Sequence, residues 1–121
     1  MHKKETAKEF LTLCAKGKSR EAFTKYVSDN FKHHNAFFKG DKNSLMIAME
    51  ESDKEHRNEI FEIKNVLEDG NLIASHSYIR QAKNLEFAVE HILKFENEKI
   101  VEMWDVVQPF PDNMINENEM F

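Results

Sequence analysis

The chain's 121 residues include six histidines, and His33, His34, His76 and His91 are the positions from which proton chemistry can be argued. A neutral imidazole can take a proton from the carbon next to a carbonyl, or polarise the carbonyl oxygen, near neutral pH. His91 is the leading acid/base candidate because it opens the stretch His91–Gln108, which reads as two apolar strands joined by a tight turn. That hairpin brings His91 near Trp104 and Asp105. The competing reading of His91 is a core histidine hydrogen-bonded to His76 or Asp105.

His76, Tyr78 and Arg80 alternate along one strand, so they share a face. Together they could bind an oxyanion or a carboxylate, unless that face is the solvated or dimer-forming one. His33 and His34 are adjacent, and in extended chain they point to opposite faces, so at most one can enter a pocket. Trp104 and Asp105 are divided in the same way. Trp104 is expected as a pocket wall, with Asp105 on the far surface unless a bulge re-aims it. Histidines scattered over separate elements lack the close spacing of zinc sites, so no metal is expected.

Several elements must position these residues. Ala7, Phe10, Leu11 and Cys14 lie at helical spacing, with Gly17 as the cap that ends the helix. A second helical pattern carries Ala22, Phe23, Tyr26 and Val27, and Ser28-Asp29-Asn30 breaks it. Phe31–Phe38 reads as a short strand or extended segment. A third helix, capped by Asn43 or Ser44, presents Leu45, Ala48, Met49 and Ser52 and runs to about Glu55. The period then changes to two. Strands are expected over Glu59–Leu67, Leu72–Gln81, Leu85–Phe95 and Ile100–Gln108, with turns at Asp69-Gly70-Asn71, Ala82-Lys83-Asn84 and Glu96–Lys99. In the third strand Phe87, Val89, His91, Leu93 and Phe95 share a face. Three helices followed by a four-strand antiparallel meander is an α+β architecture. One domain is expected over residues 1–121, with 112–121 as a surface tail whose apolar end, Met120-Phe121, can dock.

Composition removes several function classes. Hydrophobic residues at 40% and charged residues at 32% describe a globular chain. The net charge of −5 argues against nucleic acid, which requires a basic face. No run approaches the roughly 18 apolar residues of a membrane span, and no apolar leader is visible, so the cytoplasm is the expected compartment. The single cysteine, Cys14, excludes an internal disulfide. With three glycines, phosphate-cradling loops are missing. Ten phenylalanines suggest an apolar interior or cavity wall.

Phe95-Glu-Asn-Glu-Lys-Ile-Val-Glu-Met-Trp-Asp-Val-Val-Gln-Pro109 resembles the signature of the SnoaL-like branch of the nuclear transport factor 2-like (NTF2-like) superfamily, roughly Arg-x-Glu-Asn-Gly-Lys-Ile-Val-Glu-x-Trp-Asp-Val-x-Gln-Pro. The ending from Pro111 to Phe121 is also similar, and His34-Asn35 matches the branch's His-Asn pair. The resemblance implies a cone-shaped fold, with helices over the concave face of a curved antiparallel sheet enclosing a mostly apolar pocket. It further implies a homodimer, commonly formed through the sheet. Founding members are polyketide cyclases that use a pocket Asp as acid/base in an intramolecular aldol condensation. The chain departs from the pattern at His91, where many relatives carry Asp, and at Asn97-Glu98, where Asn-Gly is usual. A left-handed Glu98 would cost about 1–2 kcal/mol, which favours a turn of another type.

These readings combine into one expectation. A small apolar or carbonyl-containing ligand would be handled without a cofactor by His91, with His34 and His76 as polar partners. Asn35, Phe87, Val89, Leu93, Trp104 and Tyr78 would line the pocket. The alternatives are a non-catalytic ligand-binding dimer and a purely structural dimer with a filled cone.

Overall fold

A computed structural model describes residues 2–121. Helices α1 (Lys3–Ala15) and α2 (Ser19–Tyr26) lead into strand β1 (Val27–His33). Helix α3 (Lys42–Glu55) follows, and then strands β2 (Asn58–Asp69), β3 (Leu72–Gln81), β4 (Leu85–Glu96) and β5 (Lys99–Pro109). The sheet order is β1-β5-β4-β3-β2. The helices cover its concave face, giving the α+β cone.

Four of the strands form the expected meander, and β1 is an addition. Val27 does not continue α2. Its branched side chain starts β1, which pairs parallel with β5 and buries Val27, Phe31 and His33 on the helix side. Residues 34–40 form a loop rather than a continuation of the strand. The cap of α3 is Asp41, not Asn43 or Ser44. Its carboxylate accepts the Ser44 N–H at 3.1 Å and the Ser44 hydroxyl at 2.6 Å. Gly17 follows α1 with φ +82°, as a C-terminal cap requires.

One extra residue in β5 decides which side chains face inward. Glu96 pairs with Lys99 and Phe95 with Ile100, but Lys94 then pairs with Glu102, so Val101 is the unpaired residue of a bulge. Beyond it the register places Met103 opposite Leu93 and Asp105 opposite His91. Without the bulge Trp104 would face His91. A one-residue shift moves every later side chain to the other face, and the expected orientations of Trp104 and Asp105 are thereby reversed.

The inner face has two halves. Toward the β4–β5 turn, Ile73, Leu93, Phe95, Ile100 and Met103 pack against Phe10, Phe23 and Phe31 in the main core. Toward the other end, the sheet and the C-terminal ends of α1 and α3 diverge around a cavity.

The β4–β5 turn keeps the left-handed form at both central residues, with Asn97 at φ 50° and Glu98 at φ 67°. This is the turn type that suits Asn-Gly, so the expected switch to another type does not occur. Glu98→Gly should therefore stabilise the protein by about 1 kcal/mol, the left-handed penalty less the added chain entropy of glycine. Urea unfolding checks this: the midpoint should rise with an unchanged slope.

Candidate functional site

The cavity measures about 280 Å³ and is walled by Leu11, Cys14 and Ala15 of α1, by Met49, Ser52 and Asp53 of α3, and by His56 just beyond it. Its floor is the sheet: Phe61 of β2, Ile79 and Gln81 of β3, Phe87, Val89 and His91 of β4, and Asp105 and Val107 of β5. His91 stands where the cavity half meets the core half, since Leu93, two residues on, belongs to the core.

Two polar residues of this floor, His91 and Asp105, adjoin a buried serine that lies outside the cavity lining. Ser75 of β3 pairs with His91, which pairs with Asp105, and directly opposite side chains on a sheet face are near neighbours. Ser75 Oγ and His91 Nδ1 are both sealed from solvent without a hydrogen-bond partner. Buried polar atoms are rarely left so. Burial holds the His91 imidazole neutral by pushing its pKa below the ordinary 6.5, while Asp105 and Glu90 pull weakly the other way.

Asp105 is held from behind by Asn35, whose Nδ2 donates to Asp105 Oδ2 at 3.0 Å. The Asn35 amide is itself oriented, because its Oδ1 accepts the Phe37 N–H at 3.0 Å. His33 braces the same loop. Its Nε2 donates to the Lys39 carbonyl at 2.7 Å, and its Nδ1 accepts the Asn35 N–H at 3.1 Å. Of the adjacent histidines, the inward one is therefore His33, and it serves the loop.

Several expected pocket residues lie elsewhere. His34 lies on the outer side, where its Nε2 meets Glu102 Oε2 at 2.6 Å and its ring stacks on Trp104 at 5.1 Å and 8°. Trp104 is on that side because of the bulge. His76 and Tyr78 face outward because their strand buries Ile73, Ser75 and Ser77 against the helices. His76 bonds Glu90, Tyr78 Oη donates to Glu86 at 2.8 Å, and the Phe121 ring packs against both. The apolar end of the tail thus docks on the outer face. Leu93 is core, and Asn35 touches the cavity residue Asp105 without lining the cavity. Phe87, Val89 and His91 lie on the cavity floor.

Sequence reasoning overlooked most of the helical wall. Asn58 Nδ2 donates to the Ala15 carbonyl at 3.0 Å and its Oδ1 accepts from Gln81 Nε2 at 3.1 Å, which pins β2 and β3 to the end of α1. Asp53 and His56 follow the helical spacing of Met49, and that repeat was the available signal. Burial pushes the Cys14 thiol up to about 12, so it is a protonated wall group rather than a nucleophile. Among the described residues, no three His, Cys, Asp or Glu side chains are arranged to hold a metal ion. No helix among them is long and apolar enough to cross a membrane.

No protein-family model and no curated protein matches the chain. Solved structures do. A Mesorhizobium loti protein described as a SnoaL-like polyketide cyclase aligns with TM-score 0.69 at 18% identity, over 88% of this chain and 99% of that one. An NTF2-like protein of unknown function from Burkholderia xenovorans aligns with TM-score 0.71 at 18% identity, over 90% and 85%. The chain has the SnoaL-like, NTF2-like fold. An epoxide hydrolase-like protein of M. tuberculosis shares it, with TM-score 0.69 at 12% identity over 87% and 81%. At these identities the NTF2-like likeness concerns the fold, and the chemistry must be argued from the cavity.

The depressed His91 pKa has a consequence for stability. As pH falls below about 6.5, the unfolded chain takes up a proton at this residue while the folded chain does not, so stability declines until the folded pKa is reached. Above that window the contribution is flat. His91→Gln should lose less stability than wild type between about pH 7 and pH 5, read as the difference between their urea midpoints.

Proposed function

We propose that the chain is a single SnoaL-like domain whose cavity takes a small, largely apolar carbonyl compound and performs cofactor-free acid/base chemistry on it. The observation that carries this reading is the adjacent pair His91 and Asp105 on the cavity floor, with the imidazole kept neutral by burial. Perturbed titratable groups in a cavity are candidates for proton transfer.

The steps follow from the groups present. His91 takes the proton from the carbon next to the carbonyl, and the C–H electron pair moves to the carbonyl oxygen as an enolate. The imidazolium so formed is stabilised by Asp105, which Asn35 holds in position. Returning the proton to another carbon is isomerisation, and giving it to a leaving hydroxyl is dehydration. Attack of the enolate on a second carbonyl is an aldol condensation. The Ser52 hydroxyl and the second N–H of the Gln81 amide are available donors for the carbonyl oxygen. The cyclase description of one structural neighbour supports carbonyl chemistry. His34 and His76 have no part in this scheme, since they lie on the outer face.

The outer face supports a homodimer, and the compartment we propose is the cytoplasm. Leu67, Ala74, Ile92 and Trp104 pair in succession across β2, β3, β4 and β5, and Leu67 is 68% exposed. An apolar row of this kind is favoured for burial against a second copy. Leu67→Asp combined with Ile92→Asp should give monomers in sedimentation experiments. A dimer that persists would place the interface elsewhere.

The enzymatic reading is tested without knowing the substrate. Small ketones incubated with the protein in heavy water should gain deuterium next to the carbonyl, followed by NMR. His91→Ala should slow this about a hundredfold or more, the usual contribution of a general base. Binding without exchange would instead identify a non-catalytic ligand-binding protein.

A further inference from the structure

The cavity carries two carboxylates, Asp53 on its helical wall and Asp105 on its floor, and no lysine or arginine among its lining residues. Asp53 stands in the last turns of α3 with its side chain only 15% exposed. A Cβ on Gly17 would overlap its carboxylate, so the connection between α1 and α2 runs directly against it and keeps water from that side. Its hydrogen-bond partner among the described residues is Arg57, whose Nη2 reaches Asp53 Oδ2 at 3.4 Å. That is long for a charge-assisted bond, which normally closes to about 2.7–2.9 Å. The Arg57 side chain is 78% exposed, so it is a loosely held surface group.

The cavity is therefore short of cations: His56 and His91 are the only basic side chains among its lining residues. Asp53 has an oxygen to spare, Asp105 accepts from Asn35 through one oxygen only, and burial keeps His91 neutral. An anionic ligand would lose its hydration against charges of its own sign. An ammonium group brings three donors and the opposite charge. The volume of about 280 Å³ lies at the low end of small-molecule sites, which favours a compact ligand.

We propose that the cavity's ligand is a compact, largely apolar molecule carrying a basic nitrogen, with its ammonium end bound by Asp53. This rests on the cavity being a small-molecule site. The charge also suits the chemistry proposed for that site, because a cationic nitrogen offsets the negative charge that develops on a carbonyl oxygen between two carboxylates.

Three probes that share one apolar body and differ in charge provide the test: 2-phenylethylamine, 2-phenylethanol and 3-phenylpropionate, titrated into the full chain at neutral pH and low salt. Binding is read from NMR shifts of the cavity residues. The amine should bind about tenfold more tightly than the alcohol, and the carboxylate more weakly than either. Asp53→Asn, which preserves the shape of the side chain, should remove the amine's advantage while leaving the alcohol within about twofold of its wild-type affinity. Arg57→Ala should strengthen amine binding, since it removes the competing cation. A carboxylate that matches or exceeds the amine overturns the proposal, as does an amine advantage that survives Asp53→Asn. If the alcohol binds and the amine gains nothing, only this inference falls. If none of the three binds, the small-molecule reading of the cavity falls with it.

Discussion

The unpaired Val101 in β5 is the feature on which the site depends. A strand alternates faces with a period of two, so one inserted residue reverses everything that follows it. Before the bulge, Ile100 faces the core opposite Phe95. After it, Met103 continues the core and Asp105 reaches the cavity floor beside His91. In unbroken register an indole would occupy the floor, and the carboxylate would lie on the outer surface. The β1–β5 ladder is irregular over the same stretch, with Val27 paired to Ile100 and Lys32 to Glu102. Extra residues on both sides of the sheet edge curl it around the helices.

The inner face divides the work of stability from that of the site. Phe10, Phe23, Ile100, Leu93 and Met103 are essentially fully buried in the core half, and burial of such side chains contributes about 1.5–3 kcal/mol each. That half can tolerate the unpartnered Ser75 Oγ and His91 Nδ1 at its boundary, where a missing hydrogen bond costs about 1–3 kcal/mol. A rigid core on one side and a cavity on the other hold His91 in place while leaving room for a ligand.

The outer face follows a different logic. His76 with Glu90 and Tyr78 with Glu86 are polar pairs across neighbouring strands, and Phe110 and Phe121 pack over the Tyr78 ring. The stacked His34–Trp104 pair belongs to this surface too. His34, His76, Tyr78 and Trp104, which looked chemical in the sequence, are thus structural members of the outer layer.

Local patterns were legible in the sequence because they depend on neighbours along the chain. Helical spacing identified the buried face of α1, period-two alternation identified the inner face of β4, and Asp69-Gly70-Asn71 marked a hairpin turn. The motif around Trp104 and Asp105 pointed to the fold that the structure has. What the sequence could not decide was which face of β3 turns inward, because its two faces read much alike. Nor could it decide whether Asp105 or Trp104 accompanies His91, because a bulge leaves no mark in composition or spacing. β1 was misread for a similar reason, since its pairing with β5 bridges distant parts of the chain. Sequence alone determined the three helices, the four meander strands and the residue types available for chemistry. Tertiary structure chose among them, because a one-residue offset set by long-range strand pairing determines which side chains share the cavity.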